Sequence, residues 1–290
     1  MGDKMASSIV LLVLLSALMH PIWNLMIKQN PDPQLGFLFL NLIMALCAFV
    51  HGVISQVDFL SVLTVLPVIG ISVFGQTLYG TCLTATLKRG ELSAYYPIIR
   101  SSPIFVVLVS LLFIGQRYPF AVLIGIALAV LGGFLLLYRR GSRILENKRS
   151  LGFALIAMCG TGIYSLADAH MMQYVEASVL VFFIQGSMVL IYSITWLCQR
   201  EVLPDKTTSL PNSRFSYFVL PGLLAYSSYY LILTAYQQGG EVAAVTSIRQ
   251  ASIPISVALG GLFLREGAMV RRFFASGLLA LGIIIITLSG

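Results

Sequence analysis

The sequence predicts an all-α membrane protein with ten transmembrane helices, arranged as two inverted repeats of five helices. Three observations support this fold class. Of the 290 residues, 58% are hydrophobic and only 10% are charged, whereas a water-soluble domain carries about 25% charged residues. The mean hydropathy is +0.91. The apolar residues also fall into separate runs of membrane-spanning length, with short polar breaks between them.

Each apolar run is long enough for one helix across a bilayer, which takes about 20 residues. Backbone groups in hydrocarbon must be paired within their own segment, so such runs form helices. A polar stretch at the midpoint divides the chain into a first five-helix unit at 1–140, a central loop at 141–150 and a second unit at 151–290. In order, the predicted spans cover 6–27, 35–54, 61–87, 93–114, 119–138, 151–172, 178–199, 215–237, 243–264 and 268–288.

The two units share short sequence patterns. Gly90-Glu91 opens the fourth span and Gly240-Glu241 opens the ninth, and a tyrosine precedes each Gly-Glu pair by eleven residues (Tyr79 and Tyr229). Pro103 and Pro254 follow in the same two spans. Because each unit has an odd number of spans, the second must enter the membrane with opposite polarity. This inverted arrangement is typical of transporters with a binding site near the bilayer midplane.

The formal net charge of +7 would indicate nucleic acid as a partner in a soluble protein. Here most Lys and Arg residues lie in the loops after the odd-numbered spans, which predicts that these loops are cytoplasmic. We therefore expect a multi-pass protein of the cytoplasmic membrane, with membrane lipid as a partner and no nucleic acid. The fifth and tenth spans carry almost no polar residues, so they are expected to face lipid or to form a homodimer interface.

Three charged residues lie inside predicted spans: Arg100, Arg249 and Asp168. A charge within a membrane helix costs at least about 2.5–3.5 kcal/mol and usually marks a functional site. The arginines could also snorkel to the interface. Asp168 could pair with an arginine, bind an amine or carry a proton. Two guanidinium groups facing one cavity favour a solute with an acidic group, because guanidinium binds carboxylate and phosphonate in a bidentate way.

Polar and aromatic residues at helical spacing extend this candidate site. His20 could couple transport to protons, or it could be a neutral helix contact, and Tyr192 on the seventh span is a further polar aromatic residue. The residues predicted to line the solute site, besides the three charged ones, are His20, Trp23, Asn24, Gln76, Tyr79, Tyr96, Tyr164, Gln185, Tyr226, Tyr230 and Ser252.

Signatures of catalysis and of cofactors are missing from the sequence. It contains neither a His-Glu-x-x-His metal motif nor a Gly-x-Ser-x-Gly nucleophile motif. The four cysteines are scattered, without the paired spacing of a metal site. We expect no enzyme activity, no cofactor and no metal.

Several of these segments resemble the EamA-type branch of the drug/metabolite transporter superfamily. They are His20-Pro21-Ile22-Trp23-Asn24 with Lys28, Gly90-Glu91-Leu92-Ser93 continuing through Tyr96-Pro97 to Arg100, and Arg265-Glu266. Gly115-Gln116 departs from the acidic ending that the first unit would have in the family. The resemblance implies a ten-helix fold with a central cavity that moves small metabolites by alternating access without ATP hydrolysis, often coupled to protons or to exchange.

The sequence thus predicts a secondary transporter for a small anionic or zwitterionic solute, such as an amino acid, a carboxylate or a phosphonate. The alternative is an intramembrane enzyme or flippase acting on a lipid-linked phosphate, whose head group would also suit the arginines. A sensor and a channel are disfavoured, since the polarity is repeated in both units and no ring of like residues is present.

Overall fold

The computed structural model describes residues 7–30, 32–89, 92–102, 104–105, 119–137, 148–202, 216–240, 245, 248–264 and 268–289. Over these residues the protein is helical, as predicted, and no strand occurs among them. The segments Gly90-Glu91, Glu241, Pro103, Gly115-Gln116 and Arg265-Glu266, together with most of the predicted central loop, lie outside the described residues.

Most of the described helices follow the predicted runs, but those in the fourth and ninth predicted spans are shorter than predicted. In chain order they are α1 (Ser7–Gln29), α2 (Pro33–Ile54), a 3-10 helix (Phe59–Val65), α3 (Leu66–Arg89), α4 (Leu92–Ile99), α5 (Phe120–Leu137), α6 (Lys148–Met171), α7 (Ala177–Val202), α8 (Ser216–Gln237), α9 (Ser252–Leu264) and α10 (Met269–Ser289).

Six stretches of the described chain are long and apolar enough to cross a membrane, and two shorter helices are also apolar. Large apolar side chains lie exposed on the outside, including Leu63, Phe74, Leu190 and Val270, which is 87% exposed. Buried polar side chains lie inside, Asn24, Asp168 and Gln185 among them. An apolar exterior around a partly polar interior is the arrangement that a lipid environment favours. The chain is a multi-pass membrane protein.

Two of the predicted spans are interrupted near their arginines. α4 ends at Ile99, and Arg100 lies in a turn. In the second unit Arg249 precedes a turn at Gln250 and Ala251, and α9 begins only at Ser252. Proline explains the second interruption, because Pro254 has no N–H to donate to the carbonyl of Gln250, four residues back.

Small residues allow the closest helix crossings. At the α3–α6 crossing, a Cβ on Gly160 would lie 2.6 Å from the Gly75 carbonyl oxygen. At the α5–α10 crossing, a Cβ on Gly282 would lie 2.5 Å from the Gly125 carbonyl oxygen. Close approach through small residues is the usual packing mode of membrane helices.

The fifth and tenth predicted spans pack against each other within one chain through their inner faces, where Ala275, Leu279 and Ile283 are buried. Their outer faces expose Val130, Phe273 and Phe274. Because the inner faces are already buried within the chain, a homodimer through these spans could use only their outer faces. The homodimer stays a prediction.

Candidate functional site

A cavity lies among α1, α2, α3, α6, α7 and α8, beside Arg249. Seven residues that the sequence predicts for the solute site line it: His20, Trp23, Gln76, Tyr79, Tyr164, Gln185 and Arg249. The remaining wall is mostly apolar and comes from α2, α7 and α8, with Phe37, Leu40, Met44, Met188 and Ala225. The cavity is thus an apolar chamber with a few polar groups, which is typical of small-molecule sites.

Arg249 is the charged residue that lines this cavity. Its side chain is 8% exposed, so its surroundings are nearly dry. It interacts electrostatically with Asp168 and with the ring hydroxyl of Tyr164. A guanidinium at the wall of a dry cavity attracts an anion more strongly than the same group in water would, because the local dielectric is low.

Asp168 does not line the cavity and forms no direct bond to an arginine in the described structure. Its carboxylate accepts hydrogen bonds from the Ser72 hydroxyl at 2.6 Å and from the Tyr229 hydroxyl at 2.5 Å. The side chain is 1% exposed. Both oxygens are therefore engaged by hydroxyl donors, as a buried carboxylate requires.

A chain of hydrogen bonds links Asp168 to the cavity. The Gln76 amide donates to the Tyr229 hydroxyl at 2.8 Å, and the Gln185 amide donates to the Gln76 carbonyl oxygen at 3.0 Å. The bonds run in one direction, from Gln185 to the carboxylate. The carbonyl oxygen of Gln185 is buried and has no hydrogen-bond partner. The cavity end of the chain therefore has an unused acceptor.

The α3–α6 crossing brings these groups together. Gly75 and Gly160 let the two backbones approach, and a Cβ on Gly75 would lie 2.8 Å from the Tyr164 backbone nitrogen. The crossing places Gln76 and Tyr79 of α3 opposite Tyr164 of α6, and the rings of Tyr79 and Tyr164 meet edge to face at 5.8 Å.

Arg100 lies behind the cavity wall. It is 3% exposed, and its Nε and Nη1 atoms are buried without a hydrogen-bond partner. It interacts electrostatically with Arg249 and with Tyr96, Tyr164 and Tyr79. Among the described residues no carboxylate is bonded to either of these two buried guanidinium groups, so positive charge exceeds negative charge in the described part of this region.

The α1 segment forms the neighbouring wall. The ring of His20 meets the indole of Trp23 edge to face at 4.8 Å, and its Nε2 atom lies 3.5 Å from the Tyr79 hydroxyl. The indole N–H of Trp23 is buried without a partner. Asn24 donates to the His20 carbonyl oxygen at 2.8 Å within the same helix, beside Pro21, and does not line the cavity.

Two further predicted residues, Tyr96 and Ser252, lie near the cavity without lining it. Both are fully buried, and the Ser252 hydroxyl lies beside that of Tyr96 where α4 contacts α9. They lie where the two interrupted helices contact each other, close to the arginines.

Tyr226 and Tyr230 lie on another face of α8. The Tyr226 hydroxyl is 2.7 Å from Nδ1 of His51, and the Tyr230 ring lies 4.8 Å from the His51 ring. The face of α8 that lines the cavity carries Ala225 and Tyr229 instead. Successive helical residues are about 100° apart, so a shift of one position moves a side chain away from the site.

Tyr229 is a site residue absent from the predicted set. The sequence contains a signal for it, because Tyr229 precedes its Gly-Glu pair by the same eleven residues as Tyr79 does. Ser72 is also absent from that set, and a lone serine in an apolar span carries no comparable signal. Within the described residues no group of three or more His, Cys, Asp or Glu could hold a metal ion.

The fold and the cavity define a class: a multi-pass helical membrane protein with a buried, arginine-lined chamber. Residues 7–138, just under half of the chain, match the model of the EamA-like transporter family. This match confirms the resemblance to EamA-type transporters over that part of the chain.

Similarity to a solved structure extends over the whole chain. A solved crystal structure of another protein aligns with 98% of this chain, and the alignment covers 98% of that protein's chain. The TM-score is 0.65 and the sequence identity is 18%. At this identity the match shows a shared fold. No curated protein matches the sequence significantly.

Proposed function

We propose that the protein is a secondary transporter that moves a small organic solute with an acidic group across the cytoplasmic membrane by alternating access. The single observation that carries this proposal is the position of Arg249. Its guanidinium lines the cavity and is nearly dry, and among the described residues no carboxylate is bonded to it. A solute carboxylate or phosphonate would supply the missing partner.

The other polar groups of the cavity favour an anionic or zwitterionic solute. The Trp23 N–H is a donor without a partner and can assist Arg249 in holding the acidic group. The Gln185 carbonyl oxygen is an acceptor without a partner and suits an amine or hydroxyl of the solute. Phe37, Met44 and Met188 would contact an apolar part of it. An amino acid, a carboxylate or a phosphonate meets these requirements.

Asp168 is better suited to carry a proton than to hold a solute amine, since both of its oxygens are engaged by Ser72 and Tyr229. Protonation would turn the carboxyl into a donor. The Tyr229 hydroxyl and the two glutamine amides could then rotate to reverse the chain, and the unused Gln185 oxygen would accept the last bond. This gives a physical route from proton binding at Asp168 to a change in the cavity wall.

The packing of the helices supports an inverted repeat, the architecture expected for alternating access. If α1–α5 are equivalent to α6–α10 in order, then α1 corresponds to α6 and α8 corresponds to α3. A contact between α1 and α8 then implies one between α6 and α3, and the structure contains both. The α1–α9 and α6–α4 contacts form a second such pair, and α2–α7, α4–α9 and α5–α10 map onto themselves. We therefore assign α1–α5 and α6–α10 to equivalent units.

Uptake into proteoliposomes tests the proposal. Arg249→Met is expected to lower uptake of an anionic or zwitterionic solute about 100-fold, because truncating one partner of a buried charge pair costs roughly 2–5 kcal/mol. Arg249→Lys keeps the charge but loses the bidentate fork, so its uptake should be intermediate. Unchanged uptake by Arg249→Met in correctly inserted protein would overturn the assignment.

A further inference from the structure

Many residues that line the central cavity, beside Arg249, form pairs that lie a fixed number of positions apart. From α1 and α2 to α6 and α7 this spacing is 144 positions, and from α3 to α8 it is 150. The spacing supports the equivalence of the two proposed units and extends it to single residues. The lining pairs that obey it are His20 and Tyr164, Asn41 and Gln185, Met44 and Met188, and Tyr79 and Tyr229.

The helix crossings obey the same spacing. At the α3–α6 crossing, a Cβ on Gly160 would lie 3.1 Å from the Cβ of Leu78. The equivalent positions on α1 and α8 are Ser16 and Ser228, and their hydroxyl oxygens lie 3.0 Å apart. A contact in one crossing therefore has its counterpart in the other, so equivalent residues of the two units can be compared one by one.

Asn24 and Asp168 are equivalent under this spacing, and both are fully buried. The Tyr229 hydroxyl donates to Asp168, and Tyr79 is the equivalent donor for Asn24. In the structure, however, the Tyr79 hydroxyl lies 3.5 Å from Nε2 of His20. His20 precedes Asn24 by four residues, which is about 6 Å along the helix. The two equivalent tyrosines thus lie at positions that differ by about one helical turn.

Asn24 has a free acceptor for the missing bond. Its amide N–H donates to the His20 carbonyl oxygen at 2.8 Å, and this fixes the orientation of the amide because a carbonyl oxygen can only accept. The other amide atom, Oδ1, is buried, and no hydrogen bond reaches it within the described structure. A buried acceptor without a donor costs free energy, so a state that supplies a donor gains stability from it.

We propose that Asn24 is a positioning residue for a second state of the transporter, in which its Oδ1 accepts a hydrogen bond from the Tyr79 hydroxyl. Because the units are inverted, an exchange of their conformations would open the cavity to the opposite face of the membrane. The first unit would then hold Tyr79 at Asn24, as the second unit now holds Tyr229 at Asp168. The Tyr229–Asp168 bond is released in the same step, so each state has one bond of this kind. The proposal rests on the proposed alternating access.

The membrane face from which a cavity residue can be labelled tests this without a solute. Met188 lines the cavity, and Met188→Cys is made in the full-length chain after its four native cysteines have been replaced by alanine. The probe is sulfonatoethyl methanethiosulfonate, an anionic thiol reagent that does not cross membranes. It is added to right-side-out and to inside-out membrane vesicles, and the ratio of the two labelling rates reports the populations of the two states.

Tyr79→Phe and Tyr229→Phe form a matched pair, since each keeps its ring and removes the hydroxyl at an equivalent position. Tyr229→Phe should shift the ratio towards the second state, because it removes the bond to Asp168. Tyr79→Phe should shift it in the opposite direction, because it removes the proposed bond to Asn24. Each shift should be about fivefold, which is the effect of one net buried hydrogen bond.

Asn24→Leu removes the acceptor and should shift the ratio in the same direction as Tyr79→Phe. The double variant should add little to either change, because both remove the same bond. Asn41→Leu is the control. Asn41 is also buried and also donates to the carbonyl four residues back, that of Phe37, so its replacement should leave the ratio unchanged.

Opposite shifts from the two tyrosine variants, with Asn24→Leu following Tyr79→Phe, would support the proposal. Shifts of the same sign, no shift, or equal effects of Asn24→Leu and Asn41→Leu would overturn it, while labelling from both faces would leave alternating access intact. Labelling from one face alone in the native background and in every variant would overturn alternating access, and this proposal with it.

Discussion

Arg100 and Arg249 occupy matching places in the two units, next to the interruptions of α4 and of the segment before α9, but their surroundings differ. Arg249 lines the central cavity and is attracted by Asp168. Arg100 is more deeply buried, behind a wall of tyrosines, with two N–H donors unpartnered. In the proposed repeat these are two similar charged positions, and only Arg249 lines the cavity. Repetition of sequence does not imply equal roles.

The largest expected effect is on Arg249. Arg249→Met should abolish detectable binding of an acidic solute, since the group that faces the cavity is lost. Isothermal titration with the purified protein measures this. Binding within a factor of a few of the native protein would contradict the account of the cavity.

Arg100→Met should be milder. Arg100 acts on a bound anion only through space, so affinity should fall by about tenfold or less. Replacing an unpaired buried charge by an apolar side chain of similar length should leave the melting temperature unchanged or raise it. A loss of binding as large as that of Arg249→Met would show that the two arginines act together.

Asp168→Asn separates proton coupling from solute binding. Asparagine keeps the size of the side chain and can still bond Ser72 and Tyr229, so the protein should fold and exchange solute across proteoliposome membranes. Accumulation driven by a pH gradient should be largely lost, because asparagine cannot take up and release a proton in the transport cycle. Tyr229→Phe removes one bond to the carboxylate and should show a smaller loss. If Asp168→Asn stops exchange and gradient-driven uptake alike, Asp168 serves binding or folding.

The smallest effect concerns the helix crossing that holds Tyr164 near both arginines. Gly160→Ala would place a methyl group 2.6 Å from the Gly75 carbonyl oxygen, and overpacking of this kind costs about 1–3 kcal/mol. Gly152→Ala on the same helix is the control, since a Cβ there meets nothing within 4 Å. Thermal unfolding should distinguish them, and equal melting temperatures would place the crossing elsewhere.

The helical fold follows from the sequence because hydrophobicity and span length determine it in a bilayer. The differences lie at helix ends. The third span was expected from residue 61, but a 3-10 helix capped by Asp58 precedes α3, whose second residue is Pro67. Proline fits the first turn of a helix, where its missing N–H is not needed.

The candidate site could be predicted in composition but not in detail. Charged and aromatic residues within spans pointed to His20, Trp23, Tyr79 and Arg249, which line the cavity. Which face of a helix is turned inward depends on packing between distant segments. The prediction of Tyr226 and Tyr230 as lining residues is therefore wrong for this cavity, which Tyr229 lines instead.

The most direct test of the central claim compares each candidate solute with a derivative whose acidic group is neutralised: an amino acid or carboxylate with its amide, and a phosphonate with its diester. Thermal unfolding of the purified protein detects binding, because a ligand at 100 times its Kd adds about 2.7 kcal/mol of stability. The account predicts that at least one acid stabilises the native protein while its derivative does not, and that Arg249→Met loses this difference. Equal stabilisation by acid and derivative, or a difference that persists in Arg249→Met, would contradict recognition of an acidic group by Arg249.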